Sequence, residues 1–590
     1  MTNELKNNVS AEAHANILAW LTESKYAQYK SELTAMIEAE KWDELEDSFF
    51  TIIEFGTGGR RGRTGIGSNR INAVTIGESA QALCSYASSV DAAAPQKGVV
   101  IACDTRVTSK DLSEYAAAVC AANGFKTYIF DSFRSTPELS FAVRHLKAAI
   151  GIVISASHNP PSDNGFKAYW SDGGQLVAPH DANVIATASA LTHIDDMAFM
   201  TALEEGLITV IGQEVDAAYI ESVSAQAEGT ARDLSIVYSP LHGAGQTNVL
   251  PVLRQVGFEN IHLVEDQMAP DGTFPTVEGL KPNPEEKVAN HHAVELMMSR
   301  AADIAITNDP DADRIGVMVR HNNQPVYLNG NQSAVLAANY ALLKLKQKGT
   351  LTNKHFLAKT IVTTDMLSAL ARFYGVTMYS DMLIGFKYIG RLLLEKENTD
   401  EIFVIGGEES YGLLKGTYAR DKDGATGALP LAEYAAELKL EGKTLYDELL
   451  ALYSVHGLYQ ETLDSVYFEG ASGFHTMQTV MQSLRESAPT SIAGHSVTTV
   501  IDYAASTQTD MQTGAVTSVS CDKGNVIVLV FNGDYRRRIT VRPSGTEPKI
   551  KLYIQWFEEA RDDIEQQIVD TSESLSQLSE QLQAHLFDTV

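Results

Sequence analysis

Three aspartates stand at alternate positions in Asp309-Pro310-Asp311-Ala312-Asp313-Arg314, two residues after the apolar run Ile304-Ala305-Ile306. Carboxylates this close repel one another, and a cation among them relieves the repulsion. An all-oxygen donor set suits a hard ion such as Mg²⁺. The segment opens like an EF-hand loop, but its sixth position is Arg314 instead of Gly and its twelfth is Arg320 instead of Glu. That excludes an EF-hand. The alternative is a solvated acidic turn.

A second group is Ser155-Ala156-Ser157-His158-Asn159-Pro160-Pro161, followed by Asn164-Gly165-Phe166-Lys167. A serine at the end of an apolar run, beside a histidine and a lysine, has the makings of a nucleophile with proton-handling neighbours. The alternative is a turn in which Ser and Asn cap the chain before proline. The surroundings are not Gly-x-Ser-x-Gly, so an esterase elbow is not indicated.

Two further loops carry binding groups. Gly406-Gly407-Glu408-Glu409-Ser410-Tyr411-Gly412 offers acids and a hydroxyl that can bond sugar hydroxyls. Arg542-Pro543-Ser544-Gly545-Thr546-Glu547-Pro548 combines an arginine fork, two hydroxyls and a glycine, which suits a phosphate cradle. Gly442-Lys443-Thr444 resembles the end of a phosphate-binding P-loop, but Glu437 stands where the upstream glycine is required.

The elements that must position these loops follow a pattern. VVIACDTR, GIVISASHNP, LSIVYSPLHG, ADIAITNDPDADR and EIFVIGGEES are apolar runs that each stop in a polar loop. Helical stretches such as DLSEYAAAVCAANG and SAVLAANYALLKLKQKG lie between them. This alternation predicts α/β domains with largely parallel sheets, and ligands gather at the carboxyl ends of such strands. After about residue 456, VTTVIDY, NVIVLVFNG, RRRITVR and KIKLYIQW predict a partly exposed sheet. A long polar helix from about Glu558 to Leu586 follows, which makes an α+β domain.

The chain has 590 residues and a formal net charge of −29. That charge disfavours nucleic acid and anionic membranes as partners. Anionic ligands must bind where cations concentrate. Arg60, Arg61, Arg63 and Arg70 form one such region, and Arg536, Arg537, Arg538, Arg542, Lys549 and Lys551 form another. No apolar run approaches the ~18 residues of a membrane span. The N-terminus lacks the charged-then-apolar layout of a secretion signal. Cys84, Cys103, Cys120 and Cys521 are scattered, as suits a reducing cytoplasm.

Taken in order, these loops resemble the α-D-phosphohexomutase family of phosphoglucomutases and phosphomannomutases. Phe55-Gly56-Thr57-Gly58-Gly59-Arg60-Arg61-Gly62 resembles the family's first phosphate-contacting loop, with Arg61 at its arginine position. Asp104-Thr105-Arg106, Ser239-Pro240-Leu241-His242-Gly243-Ala244-Gly245 and Gly385-Phe386-Lys387-Tyr388 are similar to family segments as well. The resemblance spans roughly residues 50 to 555. Two positions depart from it: Ser155 replaces the usual Thr, and Ile384 precedes Gly385 where Thr is common. Length, PLHGAG and GEESYG are similar to the longer branch, which holds phosphoglucomutases and phosphopentomutases.

The resemblance implies three related α/β domains with mixed, largely parallel sheets and a C-terminal α+β domain around a central cleft. On our boundaries, residues 1–50 are a helical extension and 51–215 carry the phosphoserine loop. Residues 216–325 carry the metal loop, 326–455 the sugar loop and 456–590 the phosphate cradle. Ser157 would carry phosphate, with Mg²⁺ on Ser157, Asp309, Asp311 and Asp313. Arg61, His158 and Arg314 would spread charge, and Lys167 or His158 would be the general base. Arg314, Lys387, Glu408, Ser410, Arg542, Ser544, Gly545 and Thr546 would bind substrate. The implied reaction interconverts glucose 1-phosphate and glucose 6-phosphate through glucose 1,6-bisphosphate, which also primes the enzyme. Phosphomannomutase or phosphopentomutase activity is the alternative within the family, and a non-catalytic sugar-phosphate-binding protein the alternative outside it. A cytoplasmic monomer or small homo-oligomer is expected.

Overall fold

The computed structural model describes residues 2–54, 59–468, 472–544 and 549–588. They form two compact units. The first comprises residues 1–328, 389–399 and 411–436, and the second comprises 329–388, 400–410 and 437–590.

The first unit opens with short helices that share a small core of Leu5, Ile17, Trp20, Leu33, Leu45 and Phe49, completed by Ile66 from the following segment. Ser10 caps the helix Ala11–Thr22 by accepting from the Ala13 amide. Lys25 reaches Glu78 at 3.0 Å, and Glu78 meets Arg60 at 3.2 Å, which ties the extension to the next sheet.

That sheet is built from β1 (Gly59–Arg63), β2 (Val99–Cys103), β3 (Thr127–Phe130), β4 (Ile150–Ile154), β5 (Asp163–Trp170) and β6 (Ile208–Ile211). Its order is β1-β5-β4-β2-β3-β6. Every residue of β2 and β4 is buried, which is why both read as unbroken apolar runs. The β5 and β1 strands are antiparallel additions, with Arg61 opposite Gly165 and Gly59 opposite Lys167. Arginine-rich β1 carries no apolar pattern because it is the edge strand.

A second sheet in this unit follows the order β11-β10-β9-β7-β8. Its strands are β7 (Ile236–Ser239), β8 (Ile261–Leu263), β9 (Ile304–Asn308), β10 (Ile315–His321) and β11 (Gln324–Leu328). The fully buried β9 turns back into β10, with Asn308 opposite Ile315, so residues 309–314 form the turn between them.

In the second unit, β12 (His355–Thr360) lies between parallel β13 (Thr377–Met382) and β14 (Ile402–Glu408). A short strand, β15 (Gly412–Lys415), belongs to the first unit. The remaining strands are β16 (Leu458–Tyr467), β17 (Ser491–Ile492), β18 (His495–Asp502), β19 (Thr507–Asp510), β20 (Val516–Ser518), β21 (Ile527–Phe531), β22 (Asp534–Pro543) and β23 (Lys549–Glu558). They make an eight-stranded sheet in the order β16-β23-β22-β21-β18-β19-β20, with β17 on β18. The final helix, Ile564–Asp588, lays Leu575, Leu578, Leu582 and Leu586 on this sheet. It starts later than the sequence suggested because Glu558 still pairs with Leu458 in the ladder. The architecture is three α/β domains followed by a β-rich C-terminal domain.

Candidate active site

Ser157 sits in the loop after β4 and is 3% exposed. Its backbone is left-handed, with φ of 51°, a conformation that costs a non-glycine residue about 1–2 kcal/mol. Arg106 holds the loop in that shape. One of its guanidinium nitrogens donates to the carbonyls of Ser157 and Asn159, and the other to those of Pro160 and Asp163. Asp104 anchors Arg106 at 3.2 Å and accepts from the Ser109 and Ser155 hydroxyls at 2.6 Å each. The Ser155 hydroxyl in turn accepts the Ser157 amide at 2.8 Å. Burial pushes the Asp104 carboxyl up, and Arg106 with the two hydroxyls opposes that.

The Ser157 hydroxyl donates to Asp309 Oδ2 at 2.5 Å and lies 3.2 Å from His158 Nδ1. Asp309, Asp311 and Asp313 are buried, each offering an oxygen within 4.8 Å of the others. The turn is braced from outside: Thr136 binds Asp311 through its amide to the carbonyl at 2.9 Å and its hydroxyl to Oδ2 at 2.6 Å. Ser135 caps the helix Thr136–His145 and so orients Thr136.

The electrostatics are asymmetric. Burial drives the Asp309 carboxyl far above its ordinary pKa, and Asp313 and Asp311 add to the shift. Burial acts the same way on Asp311, but the Lys167 ammonium at 2.5 Å overrides it and holds that carboxyl well below its ordinary range. Burial works against a charged Lys167, yet Asp311 and Asp313 outweigh it and raise its pKa. Arg61 is lowered to about 10 by burial and by the cations Arg314 and Arg106. It donates to the Ala156 carbonyl and to Asn159 Oδ1. Arg314 is clasped by Glu285, and its amide donates to Asp309 Oδ1 at 3.0 Å.

The fit of a metal ion to this donor set can be judged from the oxygens themselves. Asp311 Oδ1 and Asp313 Oδ1 are buried and have no hydrogen-bond partner. Two uncompensated carboxylate oxygens beside a third carboxylate match what a divalent cation would take up.

The structure therefore brings Ser157, His158, Lys167, Arg61, Asp309, Asp311, Asp313 and Arg314 together within the first unit. Lys387, Glu408, Ser410, Arg542 and Ser544 belong to the second unit. Glu408 and Lys387 are buried there, at the end of β14 and just beyond Gly385. Arg542 lies near the end of β22, and the Ser544 amide donates to the Lys549 carbonyl at 2.8 Å. Gly545 and Thr546 lie outside the described residues, as do Phe55 to Gly58.

Three participants were not singled out from the sequence. Arg106 was noted only as part of a family-like segment, although its loop follows β2 as the serine loop follows β4. Thr136 gave no signal beyond its place at a helix start. Lys422 binds Asp313 Oδ2 at 3.0 Å and Asp421 at 3.5 Å. Its segment, Arg420-Asp421-Lys422-Asp423-Gly424, alternates charges much as the aspartate turn does, and that pattern was the available clue.

Comparisons with known proteins place the whole chain. Residues 53–194, 217–322 and 329–454 match alpha/beta/alpha domains I, II and III of the phosphoglucomutase/phosphomannomutase family. A phosphoglucomutase of Staphylococcus epidermidis is 36% identical over 542 residues, 90% of this chain and 95% of that one. One from Staphylococcus aureus is 34% identical over 530 residues, 89% and 93% of the two chains. Among solved structures, the parafusin phosphoprotein of Paramecium aligns with a TM-score of 0.66 at 17% identity, covering 91% of this chain and 95% of that one. A family protein from Burkholderia thailandensis aligns at 0.62 with 18% identity, covering 88% and 96%. These two show the shared fold. With three family domains matched and near full-length relatives above one-third identity, the chain, whose serine loop, acidic turn and cations form one buried cluster, belongs to the phosphoglucomutase/phosphomannomutase family of phosphohexomutases.

Proposed function

We propose that this enzyme interconverts glucose 1-phosphate and glucose 6-phosphate, with phosphate carried on Ser157 and glucose 1,6-bisphosphate as intermediate and primer. The observation that carries the reading is the Ser157 hydroxyl on Asp309, inside a ring of Arg61, Lys167 and Arg314. The phosphoglucomutase names of the relatives support glucose as the sugar. Phosphate-ester cleavage is intrinsically very slow, so positioning and charge neutralisation must supply the rate.

In the forward half-reaction, a sugar hydroxyl oxygen attacks the phosphorus on Ser157. The new oxygen–phosphorus bond forms as the Oγ–phosphorus bond breaks, leaving a free serine and a sugar bisphosphate. The hydroxyl proton passes to His158, or to Lys167 as its ammonium gives its own proton to Ser157 Oγ, and the net transfer ends on Ser157 Oγ. Mg²⁺ held by Asp309, Asp311 and Asp313 would neutralise phosphoryl charge when bound. Arg61 and Arg314 share that charge, and Arg106 keeps the serine in its left-handed conformation. Glu408, Ser410 and Lys387 bind the sugar, while Arg542, Ser544, Gly545 and Thr546 hold the phosphate that is not being transferred. We place the enzyme in the cytoplasm, where its four unpaired cysteines suit a reducing medium.

A coupled mutase assay with glucose, mannose and ribose 1-phosphates, primed with bisphosphate, tests the proposal. Highest kcat/KM with glucose 1-phosphate supports it. Higher kcat/KM with mannose or ribose 1-phosphate overturns the glucose assignment, and turnover of none overturns the reaction.

A further inference from the structure

The two substrate loops of the second unit are joined by a partly buried ionic relay. On β22, Arg538, Thr540 and Arg542 share one face because strand side chains alternate. Arg538 binds the Asp365 carboxylate and donates to the Ile361 carbonyl at 3.0 Å. The other Asp365 oxygen lies 3.0 Å from Lys359 Nζ. Lys359 is 1% exposed and donates to the Thr363 carbonyl at 2.8 Å. It sits at the end of β12 directly opposite Gly407 of β14, the residue before Glu408. Gln555, the cross-strand partner of Arg538, donates to the same Thr363 carbonyl at 2.9 Å. Beside this polar junction, Val526, Val528, Val530 and Tyr553 close on Ile361, Val362 and Leu383.

We propose that Asp365 is a positioning residue that fixes the spacing between Arg542 and Glu408, acting through Arg538 on β22 and through Lys359 on β12 and β14. The inference rests on the reading of Arg542 as a phosphate ligand and Glu408 as a sugar ligand. The relay reaches both strands, and it lies at the carboxyl ends of β12 and β14, where substrate groups gather. Arg538 is four residues from Arg542 on the same strand face, so a shift of β22 moves both. A guanidinium shared by a carboxylate and a carbonyl defines a direction as well as a distance. Lysine keeps the charge and loses that fork.

The test compares Asp365→Asn, Arg538→Gln, Arg538→Lys and Arg542→Ala for KM and kcat with glucose 1-phosphate, for phosphate on Ser157 by intact mass, and for thermal unfolding. The expected result is a KM raised roughly tenfold in Asp365→Asn and Arg538→Gln, with kcat changed less than about threefold. Arg538→Lys should be intermediate, and serine phosphate should be retained throughout. The double variant Asp365→Asn with Arg538→Gln should be no worse than either single one, since both break the same link. If the Gln or Asn variant does not fold, Arg538→Lys is decisive, and an unchanged KM in it overturns the proposal. Lowered unfolding temperature with unchanged KM also overturns it, because the relay would then be structural only. Arg542→Ala separates the two readings. A raised KM there with unchanged KM in the relay variants sinks the relay alone, whereas an unchanged KM in Arg542→Ala sinks the phosphate-ligand reading on which it rests.

Discussion

The Ser157 hydroxyl donates to the Asp309 carboxylate across 2.5 Å, although 152 residues separate the two in the chain. The serine loop and the acidic turn are thus a single hydrogen-bonded unit assembled from two sheets, β4 on one side and β9 on the other.

Ser157→Ala should abolish mutase turnover and remove the protein-bound phosphate, as read by intact mass. Asp309 would lose its donor, but the fold should survive, because the loop shape comes from Arg106 and Ser155. Normal turnover in this variant would refute the nucleophile assignment.

Arg106 touches four carbonyls of the serine loop. Removing one partner of a buried charged contact costs about 2–5 kcal/mol. Arg106→Ala should therefore lower kcat/KM by roughly 30-fold to several-thousand-fold. Arg106→Lys should recover only part of this, since an ammonium cannot span the four acceptors. Steady-state kinetics alongside circular dichroism distinguish a displaced nucleophile from an unfolded protein.

Exhaustive EDTA treatment should silence the enzyme and added Mg²⁺ should restore it. Asp311→Asn should weaken the apparent metal affinity by removing one formal charge, and it should also deprive Lys167 of its nearest carboxylate. Activity that persists unchanged after chelation would remove the metal from the account.

A fourth prediction concerns pH and stability. Asp423 is wholly buried, accepts from Tyr219 at 2.7 Å and from Tyr418, and burial raises it to about 6. The folded state therefore keeps this proton longer than the unfolded chain, whose carboxyl titrates near 4. Stability from the neutral group is full below about pH 4 and is lost progressively up to about pH 6. Asp423→Asn is immune to that loss. Its stability relative to wild type should improve by about 2 kcal/mol between pH 4.5 and 7.5, measured by urea unfolding. A pH-independent difference between the two proteins would refute the assignment.

How much was legible in advance depended on whether a group was contiguous. The aspartate turn and the serine loop each announce themselves within six or seven residues, because a strand end and a polar turn coincide there. The all-buried strands β2, β4 and β9 were equally plain, since burial on both faces demands continuous apolar sequence. By contrast, β1 and β16 are half-exposed and polar. GRRGR and QETLDS show no period that separates them from loops, yet β1 carries Arg61. Lys422 and Thr136 stayed hidden for another reason. Each reaches a carboxylate more than one hundred residues away, and the local clue at Lys422, an alternation of charges, does not say which distant carboxylate it meets. Arg538 had been read as part of a cationic run, whereas its guanidinium is committed to Asp365.

The first compact unit is discontinuous along the chain, and this orders events during synthesis. A nascent chain that has reached Leu328 already holds Ser157, the three aspartates, Lys167 and Arg314. It still lacks Lys422, whose ammonium lies 3.0 Å from Asp313 Oδ2, and Asp421, which accepts the Tyr169 hydroxyl at 2.8 Å. At about 5–20 residues per second, roughly 5–20 s of elongation pass before Lys422 is made. Through that interval the ribosome-bound intermediate carries an acidic cluster short of one cation. The site can reach its final charge balance only after residues 411–436 return to the unit that the first 328 began.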